Sequence, residues 1–501
     1  ILYISLSIFA YPILQGERVR PRPYLIAAML SASLLASCGF GFRTGPDYER
    51  PAEVAEFPAP DTFLQAGGDT TPVLSRVRWW EVFGDSTLDR LIDEAVENNL
   101  DIRKATASVA EMAAYSRKAL SDRLPAVVID GDWARQKLPD AAATQGSSIG
   151  GTTDSWNLSL GASYEWDLWG KWSRAHEAAR ADLAASIENR NTIIQSVIAE
   201  TATLYFQIEA TERRIKISED LIDSYARSVN TIEARYRRGL TSALDLTQAQ
   251  RSLASARSVL PQYRQELGGL QHRLAVILGR YPESTPPREQ PEEYFRRLAP
   301  VPAGLPSDLL ESRPDVRAAE ERLRALNARY GVSVANLFPR ITLTGNYGYT
   351  SGELDGLFRP DQVLWNLIAG VTKPIFNSQT LLTEKDAARA RYEQGLADYA
   401  KTVLGAFAEV ESALLTRREQ LEKREYILEF LDKARVTLTI AQSRYDRGLV
   451  DYITVLDAWA ARFQAEDSLV LVDLAILTNR VSLHRALGGN WIEADTTEKE
   501  D

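Results

Sequence analysis

Sulfur and imidazole are scarce in this chain. Its 501 residues include one cysteine, Cys38, two methionines and three histidines, His176, His272 and His484. One cysteine excludes a disulfide-stapled fold and a thiolate zinc cage. Three histidines on separate segments make no multi-histidine site, so neither a metal nor a cofactor is expected. Positive charge is also short. The 58 lysines and arginines face 68 acids, a net charge of −10, which argues against nucleic acid as a partner. No apolar run after Cys38 approaches the roughly 20 residues of a membrane helix. Catalytic signatures are missing as well: there is no G-x-x-x-x-G-K-[ST] loop, no G-x-S-x-G elbow, and His176-Glu177 lacks the second histidine of a zincin. The chain is not expected to be an enzyme.

Proline is absent from residues 171–260 and 375–501, while eight of the 22 prolines fall between Pro282 and Pro314. The proline-free stretches predict long helices and the cluster predicts a linker. From Ile194 to Tyr236, steps of three and four land on Ile194, Val197, Thr201, Leu204, Ile208, Thr211, Ile215, Ser218, Ile222, Tyr225, Val229, Ile232 and Tyr236. This is a heptad stripe, the seam of a coiled coil. The spacing predicts a helix over about 171–238, roughly 100 Å long at 1.5 Å per residue, and a counterpart over about 380–447. Shorter helices are predicted at 86–120, 244–278, 307–336 and 453–487.

The two halves repeat each other. Arg235-Tyr236-Arg237-Arg238-Gly239-Leu240 matches Arg444-Tyr445-Asp446-Arg447-Gly448-Leu449, and the same offset of 209 carries Leu278-Gly279 onto Leu487-Gly488. Earlier in the chain, Leu124-Pro125 and Gly131 match Phe338-Pro339 and Gly345 at an offset of 214. An internal duplication is implied, each copy running helix, hairpin, long helix, return helix.

Period-two segments supply the hairpins. Trp156, Leu158, Leu160, Ala162, Tyr164, Trp166 and Leu168 alternate with small or polar residues. Ile341, Leu343, Tyr347 and Tyr349 do the same, Val363 to Val371 shares one apolar face, and Val127, Ile129 and Trp133 form a shorter case. A tilted strand crosses a bilayer in about 9–11 residues with apolar side chains outward. Six of the ten tryptophans lie in or just after these strands, as aromatic girdles require. Four strands cannot close a barrel, and an open edge in lipid costs several kcal/mol per unpaired backbone group. Several chains must therefore pool their hairpins; three would give about 12 strands, within the usual range of bacterial barrels.

At the N-terminus, Arg18, Arg20 and Arg22 precede a short apolar stretch ending in small residues, the layout of a secretory signal peptide. The ending Leu35-Ala36-Ser37-Cys38 resembles the bacterial lipobox. That resemblance implies cleavage before Cys38 and acylation of its thiol, and Gly39 is compatible with sorting to the outer membrane.

Taken together, the chain resembles the TolC/OprM family of outer membrane efflux proteins, in its NodT-like lipoprotein branch. The most specific pieces are Leu305-Pro306-Ser307-Asp308-Leu309-Leu310-Glu311-Ser312-Arg313-Pro314-Asp315-Val316-Arg317 and the repeated Arg-Tyr-x-x-Gly-Leu turns. Trp79-Trp80 and Asp85 to Leu88 also fit. The family implies a mainly α fold with membrane β. Specifically, a homotrimer carries a 12-stranded β-barrel in the outer membrane, four strands per chain, continued by an α-helical coiled-coil tunnel in the periplasm. The organisation expected is a signal peptide at 1–37, a lipid-anchored extended segment at 38–84, a first repeat at 85–279, a Pro-rich equatorial linker at 280–306, a second repeat at 307–490 and a tail at 491–501.

The implied function is passive conduction: an outer membrane channel of a tripartite efflux system, served by a periplasmic adaptor protein and an inner-membrane pump of the proton-driven RND type. Two other readings fit the same residues, a duct for type I protein secretion and a lipid-anchored periplasmic coiled-coil scaffold without a pore. A copper-specific exporter is disfavoured, because Met112 is the sole methionine left after cleavage. By resemblance, Arg238, Gly239 and Leu240, with Arg447, Gly448 and Leu449, are adaptor-docking residues. Asp245, Tyr445 and Asp457 are the periplasmic gate, the two carboxylates lining the entrance and Tyr445 holding a helix pair closed. The alternative reading of the two aspartates is that they are solvated first-turn acids stabilising helix N-termini.

Overall fold

The computed structural model describes residues 42–51, 63–66, 78–138, 151–282, 312–376 and 378–489. Cys38, the signal segment, the C-terminal tail and the linker beyond Pro282 lie outside the described residues. In chain order the elements are α1 (Ser86–Asn98), α2 (Leu100–Ser121), β1 (Ala126–Leu138), β2 (Gly151–Glu165), α3 (Lys171–Arg237), α4 (Ala243–Ile277), α5 (Pro314–Ala335), β3 (Arg340–Ser351), β4 (Val363–Thr372), α6 (Ser378–Asp446) and α7 (Tyr452–Ala486). They divide between two compact units, one made of residues 1–51, 110–185 and 320–398, the other of 52–109, 186–319 and 399–501.

The first unit holds one antiparallel sheet in the order β1-β2-β3-β4. Its register merges the alternating stripes. Ile129 faces Leu160 and Trp133 faces Trp156, Leu160 faces Tyr347 and Leu158 faces Tyr349, and Tyr347 faces Trp365 and Ile341 faces Val371. Because directly opposed residues share a face, these apolar side chains form one continuous surface. Asp132, Asn157 and Thr350 share the other, joined by hydrogen bonds from Asn157 to Asp132 (2.9 Å) and from Thr350 to Asn157 (2.6 Å). The apolar face is uncovered: Ile129 is 73% exposed and Trp365 68%. A patch of this kind is covered by lipid or by another chain.

Two details differ from the sequence expectation. β1 runs its full 13 residues rather than the short Val127–Trp133 segment. β2 stops at Glu165, so Trp166 and Leu168 are not in the strand. The reason is local. The Asp167 carboxylate accepts from the Trp172 and Ser173 amides (2.9 and 2.8 Å), capping α3, and the Leu168 carbonyl accepts from the Phe42 amide (2.8 Å). The extended segment from Phe42 to Pro51 is pinned in this unit. Buried Arg174 pairs with Asp47 (2.7 Å) and Arg50 with Glu320 (2.6 Å). Trp169 stacks on Phe338 at 4.7 Å and donates to the Pro339 carbonyl, which gives the repeated Phe338-Pro339 step a structural role.

The second unit is helical. Ile194, Val197, Thr201, Leu204 and Ile208 are buried along α3, and the Thr201 hydroxyl satisfies itself on the Val197 carbonyl (2.8 Å). Trp79, Trp80 and Phe83 pack with α1 into the same core. Asp85 caps α1, accepting from the Thr87 amide at 2.8 Å, and also accepts from the Tyr205 hydroxyl. Ion pairs cross from α3 to α7 (Arg214–Asp467, 2.7 Å) and from α6 to α7 (Arg424–Asp473, 2.7 Å).

The helix expected over 86–120 is two helices, broken at Asn99. Asn99 leaves helical geometry (φ −63°, ψ 130°) and its side chain caps α2, accepting from the Asp101 and Ile102 amides (2.9 and 3.1 Å). Its amide nitrogen donates to the Ile277 carbonyl (2.9 Å), the last residue of α4. The second copy does the same with different chemistry. Arg313, 214 residues on from Asn99, donates to the carbonyl of Ala486, the last residue of α7, at 3.0 Å. Arg313 is buried and also pairs with Asp315 (2.7 Å) and Glu409 (2.9 Å).

Candidate functional site at the helix turns

The turns joining α3 to α4 and α6 to α7 are copies of one another. Gly239 and Gly448 both have φ of +73°. The Gly239 amide donates to the Tyr236 carbonyl (2.8 Å) and the Leu240 amide to Arg235 (3.0 Å); the Gly448 amide donates to Tyr445 and the Leu449 amide to Arg444, both at 2.9 Å. This crossed pair satisfies the last carbonyls of each long helix and needs a left-handed residue, where glycine carries no Cβ penalty. Nothing stands within 4 Å of where a Cβ would project from either glycine. Arg238, Gly239 and Leu240, with Arg447, Gly448 and Leu449, are all exposed, and the two leucines put 70% and 64% of their surface in the open.

Beneath the turns lies a small core that joins both copies. Tyr225, Ile232, Leu253, Leu438, Tyr452 and Val455 are buried there, with Tyr445 and Trp459 at its margin. The Tyr445 ring packs on Tyr452 at 5.2 Å, and the Arg235 guanidinium lies 5.3 Å from the Tyr445 ring centre. Arg235 also pairs with Asp446 (3.3 Å). The Tyr452 and Ser228 hydroxyls are 2.7 Å apart. The end of α3 is thus tied to the turn between α6 and α7 by contacts each worth about 0.5–1 kcal/mol, weak enough to be broken one by one. Burial pushes the Tyr225 phenol up to about 12, with the Tyr452 phenol adding to the effect, and burial likewise raises Tyr452. The core stays uncharged at neutral pH.

The two aspartates differ. Asp245 belongs to a capping box: its carboxylate accepts from the Thr241 hydroxyl (2.6 Å) and the Ser242 amide (3.4 Å), while its own amide donates to Ser242 Oγ (3.1 Å). Its charge also reaches the Tyr452 phenol. Asp457 stands on the exposed side of α7 and makes no hydrogen bond or ion pair among the described residues. The structure therefore gathers Asp245 and Tyr445 around Tyr452 and leaves Asp457 apart. Ser228 and Tyr452 were not singled out from the sequence, and Arg235 and Asp446 entered only as parts of the repeated turn. Their partners lie some two hundred residues away, and only the matched Arg-Tyr steps hinted that the two turns meet. Among the described residues, no group of three His, Cys, Asp or Glu is placed to hold a metal ion.

The model of the outer membrane efflux protein family matches residues 91–280 and 305–489. The chain belongs to that family. It is 32% identical to the solvent efflux pump outer membrane protein SrpC of Pseudomonas putida over 448 residues, 89% of this chain and 95% of that protein. It is 30% identical to the cation efflux system protein CusC of Escherichia coli O157:H7, over 94% of this chain and 98% of the relative. Among solved structures, the outer-membrane channel OprN superposes with a TM-score of 0.82 at 27% identity, covering 90% of this chain and 99% of that one. For an outer membrane efflux protein, the sheet with its bare apolar face is the membrane part. Among the described residues no helix is long and apolar enough to cross a membrane.

Proposed function

We propose that this chain is the outer membrane channel of a tripartite efflux system. It acts as a homotrimer whose pooled strands close a 12-stranded barrel, continued by a helical tunnel into the periplasm. The observation that carries this reading is the sheet register, which aligns four alternating strands into one apolar and one polar face and, among the described residues, leaves the outer edges of β1 and β4 without a strand partner. A coiled-coil scaffold without a pore has no use for such a sheet. Relatives named for solvent and for cation efflux share the fold, which favours efflux over protein secretion and suits a passive conduit whose cargo is chosen elsewhere. Energy comes from an inner-membrane pump, in this reading proton-driven, through a periplasmic adaptor. The chain has no catalytic role.

The finer assignments rest on the turns. Arg238, Gly239 and Leu240, with Arg447, Gly448 and Leu449, form the adaptor surface, because the two turns present exposed leucines on matching backbone. Asp245, Tyr445 and Asp457 form the gate. Opening separates Arg235 from Tyr445 and Asp446 and lets the α6–α7 turn swing. Acidic rings at a narrow axis favour cations. Cys38 carries the lipid, and the boundaries 85–279 and 307–490 are the two repeats flanking the linker at 280–306.

Single-channel recording on the purified trimer tests the gate. Arg235→Ala and Tyr445→Ala, which remove the ring contacts, raise the open probability, and Asp457→Ala lowers cation preference. Unchanged conductance and selectivity in all three would reject it. Labelling with radioactive palmitate, lost in Cys38→Ala, tests the anchor.

A further inference from the structure

A second site lies at the other end of α3, in the unit that contains the sheet. A cavity of about 510 Å³ opens between the Phe42–Pro51 segment, α3 and α5. Arg43, Arg123, His176, Arg180 and Arg324 line it, against only two carboxylates, Glu177 and Glu321. Both carboxylates are taken: Arg174 donates to Glu177 and Arg324 to Glu321, each at 2.9 Å. Arg43, Arg123 and Arg180 make no ion pair and no side-chain hydrogen bond among the described residues. Among the described residues no carboxylate pairs with these three guanidiniums, two of which, Arg43 and Arg180, are exposed. The imidazole registers the result. Burial, then Arg123 and Arg180, hold His176 below its ordinary range, so it stays neutral and adds an N–H donor rather than a charge.

Three planar forks and a neutral imidazole suit a phosphate group, which arginine binds with paired hydrogen bonds. The cavity is too roomy for a bare ion. Its place is also informative. Arg123 precedes β1 and α3 opens just past β2, so the pocket sits at the sheet end from which the helices continue. Helical side chains lean toward the N-terminus, which carries His176 and Arg180 back toward the sheet. The headgroup zone beyond the hydrocarbon is roughly 5–8 Å thick, within reach of Arg43 and Arg123. We propose that this cavity binds a phosphate group at the periplasmic rim of the barrel, supplied by a phospholipid headgroup of the inner leaflet or by free phosphate.

Native mass spectrometry on the full-length trimer in lipid-free detergent tests this, with dioleoylphosphatidylglycerol and inorganic phosphate as the two probes. The expected result is saturable lipid binding, weakened about tenfold in Arg123→Ala/Arg180→Ala and recovered only in part in Arg123→Lys/Arg180→Lys, which keeps the charge but not the paired fork. Displacement of the lipid by millimolar phosphate on the unmodified trimer gives a reading that needs no variant. Phosphate binding that depends on the two arginines, without lipid binding, assigns the site to the free anion. Equal lipid and phosphate binding by the wild type and the alanine variant, or no binding of either probe, overturns the proposal.

Discussion

Each return helix is closed at both ends by the same turn, and the two ends are used in opposite ways. Gly279 and Gly488, at the far ends of α4 and α7, have the same left-handed backbone as Gly239 and Gly448 and the same crossed hydrogen bonds. The surroundings differ. A Cβ on Gly279 would meet the Asn98 carbonyl oxygen at 2.5 Å, and one on Gly488 would meet the Ser312 backbone at 2.8 Å. At the other pair of turns there is open space. One local motif, written four times, serves twice as a weld between chain segments and twice as a free tip. The motif fixes the shape of the turn; the neighbours decide its use.

The largest effect expected from this contrast is at the welds. Gly279→Ala and Gly488→Ala should each cost about 3 kcal/mol, combining left-handed strain with a backbone clash. Gly239→Ala and Gly448→Ala should cost about 1 kcal/mol, the strain alone. Thermal unfolding followed by circular dichroism ranks the four, and equal losses at tip and weld would break the comparison. Next comes the carbonyl clamp of each copy. Arg313→Ala leaves Asp315, Glu409 and the Ala486 carbonyl without their cation and should cost about 2–3 kcal/mol. Asn99→Ala removes one cap and should cost about 1 kcal/mol. Similar losses at the two positions would show that the buried charge adds nothing.

The Arg313 contribution should depend on pH. Burial pushes the Asp315 carboxyl up, but the Arg313 guanidinium and the Val316 amide outweigh it and leave the carboxyl below its ordinary range. A depressed folded pKa gives stability that is full above the unfolded value, near pH 4, and is lost as pH falls through the folded value. The gap in melting temperature between wild type and Arg313→Ala should be constant around neutrality and narrow below about pH 4. A constant gap down to pH 3 would remove the Asp315 pair from the account.

The smallest effect separates the two tips. Ser242→Ala breaks the capping box that holds Asp245 and should cost about 1 kcal/mol. Asp451, the matching cap of α7, makes no side-chain capping bond, so Asp451→Ala should be near neutral. If both cost the same, the capping difference between the copies is not energetic.

Much of this was legible in the residues, for physical reasons. Alternation of apolar and polar side chains is a local property, so the strands at Trp156, Ile341 and Val363 could be placed from the sequence. The tip glycines were legible because glycine is the residue that ends a helix without strain. The break at Asn99 was not. An asparagine within an amphipathic run reads as an ordinary helix residue, and what bends the chain there is the Ile277 carbonyl far along the sequence. Arg313 lay inside the most distinctive motif, yet its partners Glu409 and Ala486 are equally remote. The same applies to Ser228 and Tyr452 at the tip. Asp245 shows the remaining ambiguity: one carboxylate satisfies the capping pattern and sits at the proposed gate, and local sequence alone does not rank the two.

The unpaired edges of β1 and β4 have a genetic consequence. If every ring needs sound edges from all of its members, one faulty copy spoils the cylinder it joins. A proline placed in β4 should therefore be dominant when expressed beside the normal gene, poisoning mixed assemblies. A lesion confined to an exposed helix face should be recessive.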